Sequence, residues 1–223
     1  MDLGAYSFQE VEILAEKIDG WLKPAEARLL YDMALNLKGE GAIVEIGSWC
    51  SKSITLIAAG ALKAKNSCKK ISIDPFLNSK DEPNGMYETF IANLKEHGLF
   101  DKIIHIREKS QIAGEVFDEK IELLFIDGFH QYDAVKKDFD LFYPKIIDEG
   151  YVMIHDVACY EGPTILVKEL AINNPTFKII EFTDTILLAQ KVAELTNKDK
   201  ANNENIVSII EGRLVSRNIK MHN

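Results

Sequence analysis

Two apolar runs in this sequence end in the same pair of chemical groups. "LLFIDGFH", Leu123 to His130, closes in a carboxylate at Asp127 and an imidazole at His130. "YVMIHDV", Tyr151 to Val157, closes in His155 and Asp156. An imidazole beside a carboxylate can take a proton from a hydroxyl near neutral pH. Asp127, His155 and Asp156 also make a ligand set for a divalent cation, and the mixture of oxygen and nitrogen suits Mn²⁺ or Fe²⁺ as well as Mg²⁺. Plainer uses compete with these. Asp127 can cap a turn, His155 can pack beneath a loop, and His130 can bond the segment around Tyr132. On these residues the metal question stays open, with Asp127 and His130 as the candidate catalytic pair.

Two further apolar runs end in polar groups. In "VEIGSWCSKS", Val44 to Ser53, Gly47 permits close backbone approach to a ligand, and the helix that follows offers free N–H groups to an anion. Ser51 or Ser53 can add a hydroxyl. Asp74 closes "KKISID", where a carboxylate can accept both hydroxyls of a ribose. Together they point to a nucleoside ligand. A dinucleotide fingerprint needs three glycines, but "GSWCSK" has one, and Trp49 would crowd a pyrophosphate. Glu45 favours a cationic ligand instead. S-adenosylmethionine (SAM), with its sulfonium, ammonium and carboxylate, fits this mixture.

Strands must hold these groups, and the pattern supplies them. "GAIVEIG", "KKISIDP", "KIIHIRE", "IELLFIDG" and "GYVMIHDV" are short apolar runs. Helical periodicity follows in "SKSITLIAAGALKAK", "MYETFIANLKEHG", "YDAVKKDFDLFYPKI" and "GPTILVKELAINN", and "FKIIEFTDTILLAQK" is a strand pair joined at Thr183–Asp184. Alternation of helices with continuously apolar strands means a parallel sheet covered on both faces. The expected fold is α/β, Rossmann-like and doubly wound, with a seven-stranded sheet that is mostly parallel and has one antiparallel edge strand. Extra N-terminal helices lie in "FQEVEILAEKI" and "KPAEARLLYDMALNL", the second starting at Pro24. One domain is expected over 1–191, with helices in 1–38 and the core in 42–191. A polar tail, 192–223, holds one weakly amphipathic segment. Phe8, Trp21 and Tyr31 are expected in the core, and "KKDFD" on a solvated helix face. Ligands of such sheets bind beyond the carboxyl ends of the strands, where Glu45–Gly47, Asp74, Asp127 and His155–Asp156 all fall.

"VEIGSWCSKS" resembles motif I of class I SAM-dependent methyltransferases, and closely the same turn in catechol O-methyltransferase. "LLFIDGFHQYDAVKKDFDLFYPKIIDEGYVMIHD" resembles a bacterial family related to the cephalosporin-biosynthesis and macrolide-sugar O-methyltransferases. The similarity runs from about Trp21 to Lys191. It implies that Glu45, Gly47 and Ser48 line the methionine part of the cofactor, with Asp127 beside it. Ser53 would contact the carboxylate, Asp74 the ribose, and Ser110 with Gln111 the adenine. His130 resembles, in position, the catalytic lysine of catechol O-methyltransferase. The sequence departs from the family at Ser51, where glycine is usual. It departs again at His155, since the metal-dependent relatives carry Asp–Asn, Asp–Asp or Glu–Asp at that pair.

The chain has 223 residues, 47% hydrophobic and 27% charged, with a formal net charge of −9. That balance lacks the basic footprint of a nucleic-acid partner. No apolar stretch reaches the length of about 18 residues that a membrane span needs. Early acids and the absence of a signal pattern, with three scattered cysteines, lead us to expect a reduced, cytoplasmic protein. The expected activity is methyl transfer from SAM to oxygen of a small-molecule acceptor, with a divalent metal as candidate aid. "FLNSKDEPNG" and the segment before Trp21 are the expected lids, and the N-terminal helices offer a face for a homo-oligomer. Two competing readings are a metal-dependent hydrolase using Asp127, His130, His155 and Asp156, and a SAM-binding module without catalysis. The hydrolase would leave Gly47 and Asp74 idle.

Overall fold

The computed structural model describes residues 3–77 and 85–216. Most of the expected lid "FLNSKDEPNG" and the last seven residues lie outside them. Seven strands form: β1 (Ala42–Ile46), β2 (Lys70–Ile73), β3 (Ile104–Ile106), β4 (Ile121–Ile126), β5 (Ile146–Ile154), β6 (Phe177–Thr183) and β7 (Ile186–Lys191). They make one sheet in the order β3-β2-β1-β4-β5-β7-β6. All pairings are parallel except those of β7, which runs antiparallel to both β5 and β6. The reversed strand is thus the inner member of the edge pair.

Every residue of β1 and β4 is buried, because helices cover both faces. Side chains alternate across a strand. Ile43, Leu123, Phe125 and Met153 therefore pack on the side of α1 (Phe8–Ala15), α2 (Pro24–Leu35), α3 (Lys52–Lys63) and α4 (Met86–Glu96). Val44, Leu124, Ile126 and Val152 pack beneath α5 (Ser110–Val116), α6 (Tyr132–Phe142), α7 (Glu161–Asn173) and α8 (Asn197–Ser216). The short helix α5 was not expected; seven residues with an internal glycine show no helical period. No helix among the described residues is long and apolar enough to cross a membrane.

Within the polar tail, where a helix was possible, α8 is a 20-residue helix docked on β6. Its fully buried Asn203 accepts from Ile179 N at 2.9 Å and donates to Phe177 O at 2.8 Å. At the amino end of the sheet, the buried Glu122 of β4 gathers the N–H groups of Lys38, Gly39 and Glu40 at 2.6, 2.9 and 2.8 Å. This closes the turn that feeds β1.

The carboxyl rim is built by extending the parallel ladder one residue past each strand. Gly47 N donates to Ile73 O at 3.0 Å, Asp127 N to Ile46 O at 2.8 Å, and His155 N to Ile126 O at 3.0 Å. Asp74 N donates to Ile106 O at 3.1 Å. Each site residue is therefore held by the backbone of the neighbouring strand.

Candidate active site

At this rim a cavity of about 480 Å³ is lined by Gly47, Ser48, Ser53, Asp74, Ser110 and Gln111 together with Asp127, His130, His155 and Asp156. Gly47 sits at φ 84, and a Cβ there would stand 2.1 Å from the carbonyl oxygen of Asp127. No other residue lets β1 turn past the end of β4. The same turn holds Trp49 at φ 44 and Ser51 at φ 83. Ser51 thus occupies a left-handed position that favours glycine, and its buried hydroxyl has no hydrogen-bond partner. Asp74 holds the turn from β2: Oδ2 accepts from Ser48 N at 2.8 Å and Trp49 N at 3.2 Å, and Oδ1 from Phe76 N at 2.6 Å.

Glu45 does not line the cavity. Ile46 does, and strand alternation turns Glu45 to the other side, where it is fully buried. Both its carboxylate oxygens lack a hydrogen-bond partner. Burial pushes its carboxyl up to about 8, with nearby Ser48 and Ser53 pulling the other way without reaching hydrogen-bonding geometry.

His155 is placed differently from the ligand expected of it. Its Nδ1 lies 2.8 Å from Asp127 Oδ1, and its Nε2 lies 3.6 Å from Oε2 of Glu26 on α2. Burial would discharge the imidazole, but the Asp127 charge and hydrogen bond, then Glu26 and Asp156, raise it to about 11. A protonated imidazole facing three carboxylates has no lone pair for a metal. Burial also raises Asp127, and His155 offsets only part of this. Glu26 is itself buried, with Oε1 accepting from Thr185 N at 2.8 Å and Thr185 Oγ1 at 2.6 Å. Burial works against its charge, yet His155, Lys23 N and Thr185 hold it down at about 2. Nothing in the amphipathic pattern of α2 distinguishes this glutamate from a surface one.

The ligand atoms that do converge belong to Asp127, His130 and Asp156, all within 4.8 Å of one another. His130 Nε2 is 3.0 Å from Asp156 Oδ2, and its ring stacks on Tyr160 with centroids 4.0 Å apart. Asp156 adopts φ 61, a left-handed conformation that aspartate tolerates better than most residues.

Also lining the cavity, Ser110 Oγ and Gln111 Nε2 both donate to Oδ1 of Asp138, at 2.6 and 2.8 Å. Asp138 belongs to "KKDFD" on α6 but is 1% exposed, against the expectation of a solvated face. Burial pushes it up to about 6, and Ser110 and Gln111 restrain the rise. Trp21, expected in the core, is 73% exposed and lies at the cavity against Trp49, with ring centroids 5.3 Å apart. Trp49 Nε1 donates to Asp19 at 3.1 Å.

The stretch carrying these features, residues 44–157, matches the methyltransferase-domain family Methyltransf_24. The chain belongs to this methyltransferase family. This methyltransferase is 29% identical over 160 residues to an uncharacterised protein of Acanthamoeba polyphaga mimivirus, covering 69% of each. Its fold matches the O-methyltransferase NovP with a TM-score of 0.64 at 17% identity, over 74% of this chain and 79% of that one. It also matches the O-methyltransferase TomG from Streptomyces achromogenes, involved in tomaymycin synthesis and solved in complex with SAM. There the TM-score is 0.61 at 14% identity, over 83% and 89% of the two chains. Membership in the family favours methyl transfer over both the hydrolase and the non-catalytic module.

Proposed function

We propose that this methyltransferase moves the methyl group of SAM to a hydroxyl oxygen of a small-molecule acceptor, with His130 receiving the hydroxyl proton. One observation carries the reading: a single cavity joins the Gly47 turn and Asp74 to the His130–Asp156 pair. Asp74 has lone pairs left for ribose hydroxyls, Gly47 and Ser48 bring bare backbone to the methionine part, and Ser53 offers a hydroxyl to its carboxylate. Ser110 and Gln111 meet the adenine. In the reaction the S–CH₃ bond breaks as the O–CH₃ bond forms, and the sulfonium becomes a neutral thioether. The protein aligns the two partners and removes the proton. His130 directs Nε2–H at Asp156, which leaves Nδ1 to accept the proton and lets the carboxylate stabilise the resulting imidazolium.

A second reading rests on the convergence of Asp127, His130 and Asp156. Two carboxylates and an imidazole fit a divalent cation, and such an ion would acidify the acceptor hydroxyl. His130 would then be a ligand, not the base. Titration calorimetry with SAM and S-adenosylhomocysteine tests the cofactor: a folded sample that binds neither overturns the proposal. Asp74→Ala is expected to weaken binding by about tenfold or more, since two hydrogen bonds to a charged acceptor are lost. Methyl transfer that survives complete chelation leaves His130 as the base. Transfer lost on chelation and restored by Mn²⁺ assigns the cluster to an ion.

A further inference from the structure

We propose that Asp138 fixes the side-chain amide of Gln111 and so makes the cavity selective for a purine that carries a 6-amino group. The inference rests on the SAM reading above and adds to it a residue that touches neither methyl group nor acceptor.

The two ends of an amide are chemically opposite, and a carboxylate can only accept. Gln111 must therefore point Nε2 at Asp138, as it does at 2.8 Å. Its Oε1 is left for the cavity that Gln111 lines. The hydroxyl proton of Ser110 is also committed to Asp138 Oδ1, at 2.6 Å, so Ser110 too presents lone pairs. The remaining carboxylate oxygen, Oδ2, lies 3.4 Å from where a Cβ on Gly128 would stand, and both Asp138 and Gly128 line the cavity. The side chains of Ser110, Gln111 and Asp138 thus present acceptors, while Lys109, which also lines the cavity, brings a donor. An exocyclic amino group satisfies the acceptors. A 6-oxo group placed against Gln111 sets acceptor against acceptor, and at that contact the mismatch is relieved only if the Gln111 amide turns over. Turning over would face Oε1 toward a carboxylate, which Asp138 forbids. Its side chain is 1% exposed, so water cannot take the place of that bond.

Asp138 is on this account a positioning residue, and its signature is a ratio of affinities, not an affinity. Calorimetry with S-adenosylhomocysteine and its 6-oxo analogue, S-inosylhomocysteine, reads that ratio. The parent protein is expected to prefer the 6-amino ligand by at least about tenfold, the worth of one mismatched hydrogen bond. In Asp138→Ala the ratio falls toward one, because the freed amide can present either end. Asp138→Asn, whose amide can turn its donor end to Oε1 of Gln111, also lets the ratio fall. Gln111→Leu, a change at a half-buried position, removes the preference without a buried acid being touched, and keeps the test alive if the alanine variant does not fold. A merely structural Asp138 would weaken both ligands equally and leave the ratio unchanged. An unchanged ratio in folded Asp138→Ala or in Gln111→Leu overturns the proposal, as does a parent that binds both ligands equally. A parent that binds neither sinks the SAM reading itself.

Discussion

Two buried glutamates, one singled out by the sequence and one not, have opposite fates. Glu26 finds a cationic imidazole and stays charged at about 2; Glu45 finds no partner and is pushed up to about 8. The sign of the second effect is testable. Glu45 ionises near 4.5 when unfolded and near 8 when folded, so the native state holds a proton that the unfolded chain has lost. Stability is then greatest below pH 4.5 and falls as the pH rises toward 8. Glu45→Gln should remove this loss and gain on the parent by on the order of 3 kcal/mol between pH 5 and pH 8. Denaturant midpoints at both values measure it; a gap that does not widen with pH refutes a neutral Glu45. Ser51 makes a second residue-scale case. Relief of its left-handed backbone and loss of an unpartnered hydroxyl should make Ser51→Gly more stable by about 1 kcal/mol, read as a rise in Tm. Residue types at the strand ends were legible because chemistry is written in them. Their partners were not: His155 is set by a glutamate from a distant helix, and its role follows from that contact.

Among elements, α2 and the β6–β7 hairpin are tied to the site through Glu26. Its carboxylate bonds Thr185 at the hairpin tip, and Val157 N, just past the cluster, donates to Thr185 O at 3.0 Å. Glu26→Gln leaves the His155 cation with two of its three facing carboxylates, and should cost about 3 kcal/mol at pH 7. Glu26 has a lowered pKa, so its contribution is complete above pH 4.5 and fades as the pH falls toward 2. The difference between parent and Glu26→Gln should accordingly shrink below pH 4.5; a constant difference would mean the carboxylate is not charged in the fold. All seven strands and most helices were legible because continuous apolar runs and period-3.6 runs seldom mimic one another. The short α5 left no period to read. Missing it hid Asp138 as well, because α5 supplies the two donors that make a buried aspartate tolerable.

For the whole molecule, stability and chemistry occupy opposite rims of the sheet. Glu122 gathers the turn at the amino rim while the cavity opens at the carboxyl rim. Glu122→Ala removes the acceptor of three backbone N–H groups at an exposed turn and should cost about 1 kcal/mol with an unchanged KM for SAM. A shifted KM would show that the rims are coupled. At the sheet edge, Asn203→Ala strips the backbone partners from β6 and should lower the Tm without altering ligand affinity. The sequence offered only a possible helix here: Ile206, Ile210 and Leu214 make a narrow apolar stripe on an otherwise polar segment, and the buried Asn203 looks like a surface residue.

The contact between Trp21 and Trp49 has an optical consequence. These are the protein's two tryptophans, and both border the cavity. All of its indole emission therefore originates at the entrance to the site, from a pair of chromophores close enough to exchange excitation. Occupancy that displaces water from this pair, or loosens the Trp49 bond to Asp19, changes both intensity and colour with no background from elsewhere in the chain. The protein carries an intrinsic fluorophore for its own ligand titrations.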